Sequence, residues 1–279
     1  MVGARMATLA SLRGAVARLE TINTERLSER VPLGHRSADD ALKGGLALGA
    51  LHEVFAEEGR QGATATGFAL ALTRRVTQNR RFVLWVTQNF AGFETGELAM
   101  PGFVELGLDP RFIVAVRADN AEMALRATAD GLDCNALGAV VTELWGEPKA
   151  FDAVASRKLT LAAGTSGVTG VMLRLAASPE VSTAETRWVL RAARSPPSLR
   201  AAAWGEPVFD AELVRNRHGP TGRWIMHWNC DAHYFEQKDD FNQQSFDQQA
   251  APAVPVVAAA ADRPLQAGAE PRKIAGGRR

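Results

Sequence analysis

Cysteine is scarce in this chain. Only Cys134 and Cys230 occur in 279 residues. They are far apart and match no metal-ligand spacing, and His227 and His233 add no convincing one around Cys230. Both cysteines read as buried, small apolar residues in a reducing compartment rather than as a disulfide. Net charge is scarce too: 32 Lys+Arg face 31 Asp+Glu, for a net of +1. No global field draws such a chain to nucleic acid or a membrane, although a local basic patch stays open. No apolar run approaches the roughly 20 residues that span a bilayer, which excludes a transmembrane helix. The N-terminus carries no apolar segment of the secretory type. A cytoplasmic protein is expected.

What is present supports a sizeable core. Hydrophobic residues make up 46% of the chain, enough for one large domain or two small ones. Residues 6–30 place Leu9, Leu12, Val16, Leu19 and Ile22 at helical spacing, with charges on the other face. This amphipathic helix needs a surface, either on a neighbouring molecule or on the chain's own core, and a hinge at Val31-Pro32-Leu33-Gly34 follows it. The boundaries expected are residues 1–33 for the helix and hinge, 34–235 for the core and 236–279 for a tail. The tail is rich in Gln, Ala and Pro, with too little apolar surface to offset the entropy of ordering, so disorder is expected there.

Within the core, strand-like and helical patterns alternate. LHEVFA (51–56), RFVLWVTQ (81–88), RFIVAV (111–116), ALGAVVTEL (136–144) and VTGVMLRL (168–175) read as strands. Helices are expected over 63–79, 119–132 and 149–163, the last ending at Gly164. That order predicts an α/β fold of parallel βαβ units with right-handed crossovers. After residue 175 the helices stop. TRWVLRAAR (186–194), VFDAELVRN (208–216) and GRWIMHWNC (222–230) then predict an antiparallel extension of the sheet.

The stretch AEEGRQGATATGFALAL (56–72) lies between the first of these strands and a helix, where a phosphate-binding loop would sit. Such a loop reads G-x-x-x-x-G-K-[ST]. Set on Gly62, this chain has Glu57 for the first glycine and Ala63 for the lysine; Gly59 lies within the loop, and Thr64 alone keeps its type. The missing lysine removes charge-assisted hydrogen bonds worth about 1.5–3 kcal/mol. Glu57 and Glu58 add negative charge where phosphates would approach. The strand that should present a Mg²⁺-organising carboxylate carries Thr142, with Glu143 one residue out of register. The strand that should end on a water-activating glutamate ends Thr87-Gln88. Three parts of an ATPase are weakened together, so no catalytic residue, cofactor or metal is expected and the loop reads as degenerate.

Two blocks resemble the RecA recombinase family. One is the turn Gly44-Gly45-Leu46-Ala47-Leu48-Gly49 before the first strand; the other is LVRNRHGPTGRWIMHW near the core's end, where Arg215 and Arg217 match basic residues that reach toward a neighbouring subunit's nucleotide. LWVTQNF, LGLDPRFIVAVRADNAEMALRA, GAVVTELWG and the TRWVL…LVRNRHG pair, with the lysine-less loop, are similar to the ImuA family within that group. The resemblance implies a RecA-like core in a damage-inducible mutagenesis protein that is not an enzyme. It implies binding to ImuB, a catalytically inactive Y-family polymerase homologue, and indirectly to an error-prone C-family DNA polymerase. Contact with RecA stays open, and contact with DNA is expected to be weak.

The resemblance also places a DNA-binding loop at AASPEVSTAE (176–185), short here and carrying Glu180 and Glu185. The arginines flanking it read first as a solvated strand face. Arg187, Arg191, Arg215 and Arg217 are the basic residues expected to meet a partner, acidic protein rather than DNA. Phe241 and Phe246 in the tail are either a short docking motif or part of an inert linker. Trp188, Trp204, Trp224 and Trp228 could stack bases, but core packing is the default for most of them. Two further readings remain: a DNA-binding filament protein with weak or no ATP use, and a cell-division inhibitor of the SulA type, against which the chain length and N-terminal helix argue.

Overall fold

The computed structural model describes residues 29–77, 82–90, 94, 96, 99–195 and 205–238. The stripe Leu9, Leu12, Val16, Leu19 and Ile22, Trp204, and the tail residues Phe241 and Phe246 all lie outside the described residues.

The sheet carries the alternation read from the sequence. A small antiparallel pair, β1 (Arg30–Val31) and β2 (Leu46–Ala47), brackets helix α1 (Arg36–Ala41). The main sheet has nine strands: β3 (Leu51–Ala56), β4 (Phe82–Gln88), β5 (Ile113–Ala118), β6 (Leu137–Trp145), β7 (Thr169–Leu175), β8 (Thr186–Ala192), β9 (Val208–Asn216), β10 (Gly222–Asn229) and β11 (Tyr234–Glu236). Their spatial order is β11-β10-β9-β8-β3-β7-β6-β4-β5. From β8 to β5 every neighbouring pair is parallel. From β8 to β11 every pair is antiparallel. The α/β class, the parallel core and the antiparallel extension are therefore as expected. β8 differs in one respect: it is the hinge between the two regimes, parallel to β3 and antiparallel to β9, rather than simply part of the extension.

Helices α2 (Gly62–Val76), α3 (Met100–Glu105), α4 (Ala121–Leu132) and α5 (Ala153–Ser166) complete the described α-helices, and a 3-10 turn, Pro110–Phe112, leads into β5. Alternate residues along each strand feed two cores. On one face Val54, Trp85, Val141, Leu173 and Trp188 join Phe68 and Leu72 of α2. On the other, Leu84, Val140 and Met172 join Leu125 and Leu132 of α4 and Leu159 of α5. β3, β6 and β7 are covered on both faces, which is why they read as nearly continuous apolar runs. Phe68 is the hub of the α2 face, with ring centroids 5.3–5.5 Å from those of Phe235, Trp188 and Phe209.

The helix starts follow their caps. Asn120 accepts from the Met123 amide at α4 and Asp152 from the Ala155 amide at α5. The end of α5 differs from the expectation. Gly164 is buried within the helix, and the left-handed residue that stops it is Gly167, at φ 76°.

Candidate functional site

In an open α/β sheet the binding crevice lies at the carboxyl ends of strands whose following helices go to opposite faces. Here β3 leads into α2 on one face and β6 into α5 on the other. The loop at 57–61 sits at that position.

Its geometry is compact. A single 3-10 turn, Gly59–Gln61, runs directly into α2. The Gln61 amide donates to the Glu58 carbonyl at 2.9 Å and the Gly62 amide to the Gly59 carbonyl. Two amides that an anion-cradling loop would turn toward phosphate are thus satisfied within the turn. Gln61 does not cap α2; its side-chain oxygen accepts from the Ala192 amide of β8 at 2.7 Å. A Cβ on Gly59 would lie 3.2 Å from Cη2 of Trp145, so the indole stands against the loop. Glu57 and Ala63 are exposed, Thr64 is half-buried and Gly62 is buried. Arg60 is paired with Glu58.

The supporting strand ends are equally occupied. Gln88 is buried and its side-chain oxygen accepts from the Trp145 amide at 2.8 Å, tying β4 to β6. Thr142 bonds Thr128 of α4 at 2.6 Å. Glu143 is buried. Trp145 and Gln61 carry much of this arrangement, and sequence reasoning passed over both; only the position of Trp145 at the end of the expected strand hinted at it.

The arginines divide into two classes. Arg187 is buried, its Nε 2.8 Å from Glu53 Oε2 and its guanidinium donating to Ser182 Oγ at 2.8 Å. Arg191 pairs with Glu212 at 2.8 Å and approaches Glu57 at 3.8 Å. Arg215 lies opposite Arg187 on β9, half-buried, and Arg217 is exposed just beyond the strand. Neither of these two side chains forms an ion pair or hydrogen bond with the described residues. Arg187 and Arg215 are therefore neighbours across β8 and β9, while Arg187 and Arg191 are committed to carboxylates of the chain itself.

Segment 176–185 is fastened along its length. The Ser178 amide donates to Glu147, Glu180 pairs with Arg174 at 3.5 Å, and Ser182 donates to Glu53 at 2.8 Å. The Thr183 amide donates to Ser156, and Glu185 holds Arg30 and His218, each at 3.4 Å. Glu185 is buried, so only Glu180 of the two glutamates presents charge outward. Arg174 is 1% exposed and lies over the rings of Phe151 and Phe55, 5.0 and 5.5 Å from their centroids. Burial lowers its pKa from the ordinary arginine value, against the opposing pull of Glu53 and Glu180.

Among the described residues no group of three or more His, Cys, Asp and Glu side chains could hold a metal ion, and no helix is long and apolar enough to cross a membrane. The cysteines depart from expectation: Cys134 is exposed and Cys230 half-buried, its thiol pushed up to about 11 chiefly by burial. Trp188 and Trp228 are core residues and Trp224 is partly buried against the same core.

Protein ImuA from two strains of Caulobacter vibrioides is 31% identical to this chain over 196 residues, covering 66% of this chain and 76% of the relative. The chain belongs to the ImuA family. No family model matches it. Membership of the ImuA family supports a role in damage-inducible mutagenesis.

Proposed function

We propose that this chain is a non-catalytic assembly factor of a damage-inducible translesion mutagenesis complex. Its RecA-like core retains the surfaces of a nucleotide-binding fold and has lost the chemistry. It docks an ImuB-type inactive Y-family polymerase homologue in the cytoplasm, with RecA as a further partner and an error-prone C-family polymerase reached indirectly. The observation that carries this reading is the loop at the switch point. It has no lysine, its Gln61 and Gly62 amides are bonded within a 3-10 turn, and the Trp145 indole stands against Gly59. The fastening of 176–185 and the burial of Arg187 argue against the DNA-binding filament alternative, because neither is free to grip a backbone.

Of the four arginines, Arg215 and Arg217 remain available to a partner, together with the apolar stripe of residues 6–30. The test is recovery of an ImuB-type partner with the full-length chain, with Arg215→Glu/Arg217→Glu and with Leu12→Asp/Leu19→Asp, beside a DNA titration at two salt concentrations. Loss of partner recovery in either variant is expected. Two arginines engaging a single strand would give a log–log salt slope of only about −1.4. Unchanged recovery in both variants, with DNA binding much steeper in salt than that, would move the protein to the DNA-binding class.

A further inference from the structure

β5 ends the parallel side of the sheet, and β4 is its one partner among the described strands. Natural edge strands are blunted by proline, lysine, bulges or a covering element. Ile113–Ala118 has no proline, pairs with β4 without a register shift, and carries one charged residue, Arg117. It is also apolar where it is open. Val114 is 49% exposed and lies beside Leu84 on the α4 face. Phe82, 46% exposed, stacks edge-on with Phe112 at 5.4 Å at the same end of the strand. Met123, in the first turn of the helix that follows β5, is 51% exposed. Such a strand leaves a row of backbone donors and acceptors beside an apolar strip, which is the surface that recruits another strand.

We infer that the occupant is β5 of a second copy of this chain, joined antiparallel about a two-fold axis at Ala115 to extend one sheet across two molecules. The register is set by charge and by the pleat. Opposed residues must lie on the same face, so the axis passes through a residue rather than between two. Centred on Ala115, the pairing sets Val114 opposite the partner's Val116, both on the α4 face, and brings Arg111, in the 3-10 turn just before β5, toward the partner's Asp119, just past the end of its β5. Centred on Val114, it sets Arg111 against the partner's Arg117, a repulsive pair. Centred on Val116, it brings no ion pair. Both ends of the favoured pair have capacity left. Arg111 engages Asp109 through Nε and one terminal nitrogen, leaving the other, and Asp119 accepts from Asn89 through one oxygen, leaving the other. The contact is isologous and closes at two copies, so it produces no filament.

Five paired residues, 113–117, extend about 17 Å. That is small against the roughly 1,200–2,000 Å² buried in stable interfaces, so a dimer with a Kd of about 10–100 µM is expected. Sedimentation equilibrium of the full chain over a concentration series spanning that range tests it. The weight-average mass should rise toward twice the monomer. Val114→Lys and, separately, Asp119→Arg should each weaken association at least about tenfold. Arg111→Asp combined with Asp119→Arg should restore it to within about threefold of the wild type. A chain that stays monomeric throughout overturns the inference. So does association that survives both single variants, including the case in which only Leu12→Asp/Leu19→Asp abolishes it. Because the charge swap is judged by recovery, a folding defect in Val114→Lys does not decide the outcome.

Discussion

Replacing Arg187 by Met separates a structural arginine from a partner-binding one. The guanidinium sits in a buried pair with Glu53, whose side chain is 1% exposed, and both groups share Ser182. Removing one partner of a buried pair leaves an uncompensated charge and costs about 3–5 kcal/mol. Two features favour the low end. Ser182 still donates to Glu53, and the Arg174 guanidinium remains within electrostatic reach of it. For a domain of this size the loss corresponds to a fall in Tm of about 6–20 °C. Removing both charges together, as Glu53→Met with Arg187→Met, should cost less than the sum of the single changes, because the orphaned carboxylate is gone. The assay is urea unfolding of the wild type, both single variants and the double variant, read as a double-mutant cycle. A cost under about 1 kcal/mol for Arg187→Met, or strict additivity in the cycle, would refute the reasoning and return Arg187 to the surface patch. Arg215→Glu, at the opposing position on β9, has no internal carboxylate to strand and should leave stability within about 0.5 kcal/mol of the wild type.

Two further outcomes follow from packing and protonation. His52 is fully buried and bonded to Thr186 Oγ1 and the Ala47 carbonyl; burial lowers its pKa to about 4. Its folded pKa lies below its unfolded value, so the unfolded chain binds the extra proton. Stability is therefore complete above about pH 6.5 and declines by about 3 kcal/mol as pH falls toward 4, a slope that His52→Gln should flatten in pH-dependent denaturant titrations. Gly131→Ala in α4 would place a Cβ 2.4 Å from Leu84 Cδ2 and 3.1 Å from Val140 Cγ2, and should cost about 1–3 kcal/mol by thermal unfolding despite alanine's higher helix propensity.

The sequence made the sheet legible wherever local pattern and tertiary environment agree. β3 and β9 have the boundaries read for them, since Leu51–Ala56 and Val208–Asn216 are β-prone runs bounded by turn residues. The end of α5 was misplaced by one turn because Gly164 is buried within the helix while Gly167 adopts the left-handed conformation, a distinction invisible in the letter G. Short elements escaped notice: α1, α3 and β11 have six, six and three residues, too few to show a period. The departure of residues 57–64 from the phosphate-loop pattern was legible because that pattern fixes residue types at set spacing. The state of the arginines was not, because Arg187 meets Glu53 across 134 positions and Glu185 meets Arg30 across 155. No local signal distinguishes those residues from solvated charges.

The central claim is that this nucleotide fold no longer handles nucleotide, and equilibrium retention of radiolabelled ATP by the full-length chain tests it most directly. Beside the wild type, Ala63→Lys restores the missing charge without freeing the Gln61 and Gly62 amides or moving the Trp145 indole. Neither protein should retain ATP below about 1 mM, and neither should hydrolyse it above background with or without single-stranded DNA. Saturable binding by the wild type in the micromolar range, or turnover that disappears in Thr64→Ala, would contradict the account.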